Sequence, residues 1–252
     1  MGRSIDIAVV PQRIISIVPS QTELLYDLGL GEEVIGISKF CIHPNAWFRR
    51  KTRVGGTKNL NLEKIKQLQP DLIIANKEEN ERHQIEELIK LFPVWISDIK
   101  TLEDAVNMIK SLGELFQKEE KSLEISNQIV SNFNKLKVNK NKSCAYFIWK
   151  NPYLLAGSDT FINAMLERCG MKNCFANQGR YPEVDLNQIQ SAQPDVILLS
   201  SEPYPFNAKD ISELQELCPN AKIELVDGEL FSWYGSRLLK SADYFENLLK
   251  RL

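Results

Sequence analysis

Two segments of this chain superpose without a gap. NLEKIKQLQPDLIIANKEE, residues 61–79, and DLNQIQSAQPDVILLSSEP, residues 185–203, share Leu62/Leu186, Ile65/Ile189, Gln69/Gln193, Pro70/Pro194, Asp71/Asp195, Ile73/Ile197 and Glu78/Glu202. Each reads as an amphipathic helix, a Gln-Pro-Asp breaker, an unbroken apolar strand (72–75 and 196–199) and a polar loop. Proline ends the helix because the residue before it is driven out of the α region. A strand apolar on every side chain must be covered on both faces, as in a parallel sheet sandwiched by helices. The repeat therefore predicts duplicated α/β lobes.

Between the copies lies QKEEKSLEISNQIVSNFNKLK, residues 117–137, in which Ile125, Ile129, Phe133 and Leu136 recur at four- and three-residue steps. That is the period of one amphipathic helix. At about 1.5 Å per residue it would be roughly 30 Å long, enough to carry the chain from one lobe to another. A solvated surface helix has the same pattern; the repeat on either side favours a linker. Strands at 13–18, 34–38, 94–96, 145–149 and 223–226 alternate with helices opening at 22 and spanning 102–116 and 160–168. The expected fold is α/β, two doubly wound parallel-sheet lobes joined by one long helix, with an N-terminal lobe at 1–116, the linker at 117–137 and a C-terminal lobe at 138–252.

With 252 residues the chain can bury a substantial core. Lys+Arg 31 against Asp+Glu 33 leaves a net charge of -2, so no global field points to nucleic acid. Cys41, Cys144, Cys169, Cys174 and Cys218 contain no CxxC pair, and only His43 and His83 could join them, which is poor material for a zinc site. Reduced, packed thiols are expected. The N-terminus lacks the apolar h-region of a secretory signal, and no run reaches the length that spans a bilayer.

In open parallel sheets, ligands sit outside the carboxyl ends of the strands. The loops expected there, 19–22, 39–44, 76–80, 149–158, 202–206 and 227–237, carry Phe40, Trp149, Tyr153, Tyr204, Phe206, Phe231, Trp233 and Tyr234. Aromatics clustered in polar loops suit the wall of a cleft for a flat, partly apolar ligand. Trp233 and Tyr234 are expected to lie against it, with Glu229 and Arg237 available to polar substituents. Ser20, three residues before Glu23, suits a capping box, and the same turn offers backbone N–H groups to a ligand anion. His43 could supply a single ligand to a chelated metal. No G-x-S-x-G, Walker A or H-E-x-x-H pattern is present, and Asp227, Glu229 and Arg237 are a weak acid/base set, so a non-enzyme is expected.

RIISIVPSQTELLYDLGL, VGGTKNLNLEKIKQLQPDLIIANKEEN and LVDGELFSWYGSR resemble the class III periplasmic binding proteins that deliver cobalamin, haem and iron-siderophores, also called helical-backbone metal receptors. The resemblance implies two lobes with ligand between them and little lobe movement. It implies a bound metal chelate or tetrapyrrole-like molecule rather than an intrinsic cofactor, an ABC transporter permease as partner, a monomer, and a periplasmic location. The signal-free N-terminus leaves a cytoplasmic carrier open. Phe40 matches the cobalamin receptor's aromatic contact in the first lobe, and Tyr181 a tryptophan ahead of the second repeat helix. Glu229 and Trp233 fall near its last ligand-contacting loop. Thr57 and Asn76 stand where that receptor has tryptophans. Glu63 matches the first permease-docking glutamate, and Asn187 stands at the second.

Overall fold

The structure is a computed structural model that describes residues 7, 9–138 and 142–252. Its chain divides into two compact units. The first comprises the described residues up to Asp98, together with Asp104–Gln128 and Tyr234–Arg237; the second comprises Ile99–Glu103, the described residues of Ile129–Trp233, and Leu238–Leu252.

In the first unit, β1 (Ile14–Ser16), α1 (Pro19–Asp27), β2 (Val34–Ile37), α2 (Asn45–Arg50) and β3 (Thr52–Arg53) precede a small hairpin, β4 (Gly55–Gly56) and β5 (Asn59–Leu60). Then follow α3 (Leu62–Leu68), β6 (Leu72–Asn76), α4 (Arg82–Ile89) and β7 (Val94–Ser97). The sheet runs β3-β2-β1-β6-β7, and every pairing in it is parallel. All five residues of β6 are buried, as its unbroken apolar run requires. Two helices follow, α5 (Leu102–Leu115) and α6 (Glu119–Lys135), and each contributes residues to both units. The helix expected over 117–137 is α6, which starts two residues later because Gln117 takes a left-handed φ of 54° and separates it from α5, and which ends at Lys135.

The second unit holds β8 (Ser143–Trp149), β9 (Tyr153–Leu155), α7 (Phe161–Arg168), β10 (Lys172–Asn173), β11 (Glu183–Val184), α8 (Leu186–Ala192) and β12 (Val196–Ser200). It closes with α9 (Ala208–Leu217), β13 (Lys222–Val226), α10 (Gly228–Ser232) and α11 (Leu238–Arg251). Here β10-β8, β8-β12 and β12-β13 are parallel, whereas β9 runs antiparallel to both β8 and β11. The parallel order expected from the repeat thus holds at the centre and reverses at one edge. The loop from β8 to β9, with Asn151 at φ 64°, is too short for a crossover, so β9 can only fold back as a hairpin.

The repeat identities have a structural cause. Both helices begin on a side-chain cap: Asn61 accepts from the Lys64 amide, and Asp185 forms a capping box with Gln188. Both end on a left-handed glutamine, Gln69 at φ 48° and Gln193 at φ 43°. The prolines stop the helices through these residues, which cannot stay right-handed before a proline. Each aspartate then pins the adjoining strand. Asp71 accepts the amides of Gln12 (2.7 Å) and Arg13 (2.9 Å) just before β1, and Asp195 accepts the amide and hydroxyl of Ser143, both at 2.7 Å, at the start of β8. One sequence pattern therefore caps a helix, turns the chain and sets the neighbouring strand in both units.

Candidate functional site

The parallel strands β1, β2, β6 and β7 all end on one edge of the first unit. A buried polar network lines that edge. The Thr22 hydroxyl lies 2.7 Å from that of Ser16 and 3.0 Å from the Cys41 sulfur, which also meets Ser38 at 3.1 Å. Burial pushes the Cys41 thiol up to about 11, so it stays protonated and structural. Asn76 occupies its tryptophan-matching position as a turn organiser: its amide nitrogen donates to Ser97, and its oxygen accepts from the backbone of Glu78 (2.8 Å) and Glu79 (3.1 Å). Asn80 then donates to the carbonyl of half-buried Thr57.

The expected capping box at Ser20 does not form. Val18 is the N-cap of α1, without a side-chain hydrogen bond, because Pro19 takes the first helical position. Glu23 is used elsewhere. Its two oxygens accept Nε and Nη2 of Arg237, each at 2.8 Å. Ser236 donates to Asp27, and Tyr234 donates to Glu79 at 3.2 Å. Ser20, Glu23 and Asp27 lie at i, i+3 and i+7, one face of α1, so residues 234–237 form a strap along that face. At Gly235 the approach is closest: a Cβ there would sit 2.6 Å from the Ser20 carbonyl oxygen. Burial, then the Glu79 charge, hold the Tyr234 hydroxyl well above its ordinary pKa, which keeps it a donor.

On the same edge Phe40 is 49% exposed, with the Lys39 ammonium 4.9 Å from its ring centroid. His43 is half-buried in the adjoining loop. Glu63 stands at the start of α3, exposed and ion-paired to Lys66 at 2.7 Å.

In the second unit β8, β12 and β13 end together. An edge-on aromatic ladder rises from the core there: Phe147 meets Tyr153 (5.5 Å) and Phe206 (6.3 Å), Phe206 meets Tyr204 (4.7 Å), and Tyr204 meets Trp149 (5.8 Å). Phe206 is buried and Trp149 is 38% exposed, so the ladder leads from packing to surface. Next to Trp149, Lys150 is ion-paired to Asp210 (2.6 Å) and Glu213. These hydrogen bonds raise the lysine pKa and keep it charged. Tyr181 is half-buried ahead of α8.

Trp233 and Tyr234 are 6% and 5% exposed. The Trp233 indole donates to Glu202 Oε1 at 2.9 Å, and the Ser232 hydroxyl donates to the same oxygen at 3.1 Å. Half-buried Glu229 stands on α10, whose N-cap Asp227 accepts the Glu229 amide. Burial, and then the nearby Glu229 charge, raise the Glu202 pKa. Glu23, Asp27, Glu79 and Glu202 do not stand out as site residues along the sequence. The one available signal was the Glu78/Glu202 identity in an otherwise diverged polar loop. Among the described residues no three His, Cys, Asp or Glu side chains are grouped to hold a metal ion.

A family model described as "Periplasmic binding protein" matches residues 14–217. The vitamin B12-binding protein of Vibrio parahaemolyticus is 29% identical over 195 residues, 75% of this chain and 70% of that one. An uncharacterized ABC transporter substrate-binding lipoprotein of Bacillus subtilis is 27% identical over 262 residues, covering 96% of this chain and 81% of the relative. Among solved structures, the periplasmic vitamin B12 binding protein of Vibrio cholerae matches with a TM-score of 0.82 and 24% identity, covering 96% of this chain and 98% of that one. Over residues 14–217, duplicated helix-turn-strand unit included, the chain belongs to the periplasmic binding protein family.

Proposed function

We propose that this protein is the substrate-binding component of an ABC importer, binding a metal chelate or tetrapyrrole-like molecule of the cobalamin, haem or iron-siderophore class. The observation that carries the reading is the likeness to vitamin B12-binding and ABC substrate-binding proteins over most of the chain. Its family is one of binding proteins rather than enzymes. Exposed Phe40 at the carboxyl edge of the first unit's sheet, and Trp149 at the end of the second unit's ladder, are each suited to stacking on a flat, conjugated ligand. Ser20, His43, Thr57, Tyr234 and Arg237 of the first unit, and Tyr153, Tyr181, Phe206, Glu229 and Trp233 of the second, are the other proposed ligand-binding residues. Exposed Glu63 is the proposed docking residue for a permease, α6 the connecting helix, and the periplasm the proposed location.

The experiment is incubation with a panel of corrinoids, haem and ferric siderophores, followed by native mass spectrometry. One ligand retained unchanged at one per chain is the expected result. Retention of none, or conversion of the ligand, would reject the reading.

A further inference from the structure

Glu202 is held more firmly than a loop carboxylate needs to be. It leaves the end of β12, where the Tyr146 hydroxyl donates to Ser200 at 3.2 Å and Ser200 in turn donates to the Glu202 carbonyl at 2.5 Å. Its side chain passes over α10 at Gly228, where a Cβ would stand 2.7 Å from the Glu202 Cγ and 2.4 Å from the Ser200 hydroxyl. Trp233 and Ser232 both donate to Oε1. Oε2 accepts no hydrogen bond from any described residue, although the side chain is only half-buried. The carboxylate is thus oriented through one oxygen, which leaves the other open to a further donor.

Its electrostatic setting decides what that oxygen can take. Asp227 and Glu229 face it from the cap and first turn of α10, Tyr146 lies on the β8 side, and Trp233 donates a neutral N–H. A ligand carboxylate or catecholate brought here meets like charge, whereas an N–H or O–H donor gains a charge-assisted hydrogen bond. We propose that Glu202 is a specificity-determining residue whose Oε2 accepts an amide N–H from the periphery of the bound chelate, selecting amide-bearing ligands over those bearing carboxylates. This deepens the proposed binding function and rests on it. The raised proton affinity of Glu202 agrees with the same negative setting.

The test uses two probes on the whole protein near neutral pH: dicyanocobinamide, whose macrocycle carries peripheral amides, and haemin, which carries two propionates. Calorimetric titration of the native protein should give the tighter binding to cobinamide. Glu202→Gln keeps an oxygen for Trp233 and removes the charge; it should weaken cobinamide roughly ten- to hundredfold, the range for one hydrogen bond to a charged group, and strengthen haemin. Glu229→Gln, which leaves Glu202 in place, should narrow the preference in the same direction by a smaller factor and covers the case in which Glu202→Gln fails to fold. Tighter haemin binding by the native protein, or a preference unchanged in the folded variants, would overturn the inference while leaving chelate binding intact. If neither probe nor any ferric siderophore binds, the binding function and the inference fail together.

Discussion

Arg237 and Glu23, 214 positions apart in sequence, form a two-pronged ion pair with both contacts at 2.8 Å and side-chain exposures of only 9% and 13%. Paired this way, the guanidinium fork matches the carboxylate geometry, and the strap at 234–237 is locked to α1.

Removing one member of that pair should be costly, because the other is left charged and largely buried. Glu23→Gln or Arg237→Ala is expected to lower unfolding free energy by about 3 kcal/mol or more. Urea titration of both single variants and the double variant checks this. The double variant should lose much less than the sum of the singles, since neither charge is then stranded.

Acidity should reveal Glu202. Its folded pKa lies above the unfolded value, so the folded state holds a proton more tightly. Stability from this group is therefore fully present below the ordinary glutamate pKa of about 4.3 and is lost as pH rises through the raised folded value. Glu202→Gln should accordingly melt at a higher temperature than the native protein near neutral pH, with the gap closing on acidification. Melting curves across that window are the measurement, and a gap that widens in acid would contradict the assignment.

Two tryptophans should separate binding from folding. Trp149 is 38% exposed at the end of the ladder, so Trp149→Ala should leave the melting temperature nearly unchanged and weaken ligand by about 2 kcal/mol, roughly thirtyfold, as for an interface anchor. Trp233 is buried and donates to Glu202, so Trp233→Ala should cost about 3 kcal/mol of stability. Calorimetric melting with ligand titration of the folded fraction distinguishes the two.

The repeat aspartates should matter equally. Asp71→Ala and Asp195→Ala each free two donors at a strand start, and each is expected to cost about 1–3 kcal/mol. Hydrogen exchange should localise the loss to β1 in one variant and to β8 in the other.

The duplicated helix-turn-strand unit, the parallel centre of both sheets and the helix at Glu119–Lys135 are legible along the chain. These follow from local forces: apolar period, caps, and the restriction a proline places on the residue before it. The sequence also points to the aromatic loops, because strand ends and polar spacing are readable along the chain. The antiparallel β9 depended on a loop too short to cross over, a length visible only once both strand ends are known. Along the chain, Ser20 suits a cap because Glu23 stands three residues on. Tertiary structure gave Glu23 a stronger partner in Arg237, and Pro19 moved the helix start. The return of residues 234–237 to the first unit, and the pairing of Glu202 with Trp233, were likewise decided by tertiary structure alone. Local sequence sets what a side chain can offer; which buried donor meets which acceptor depends on elements far apart in the chain being packed together.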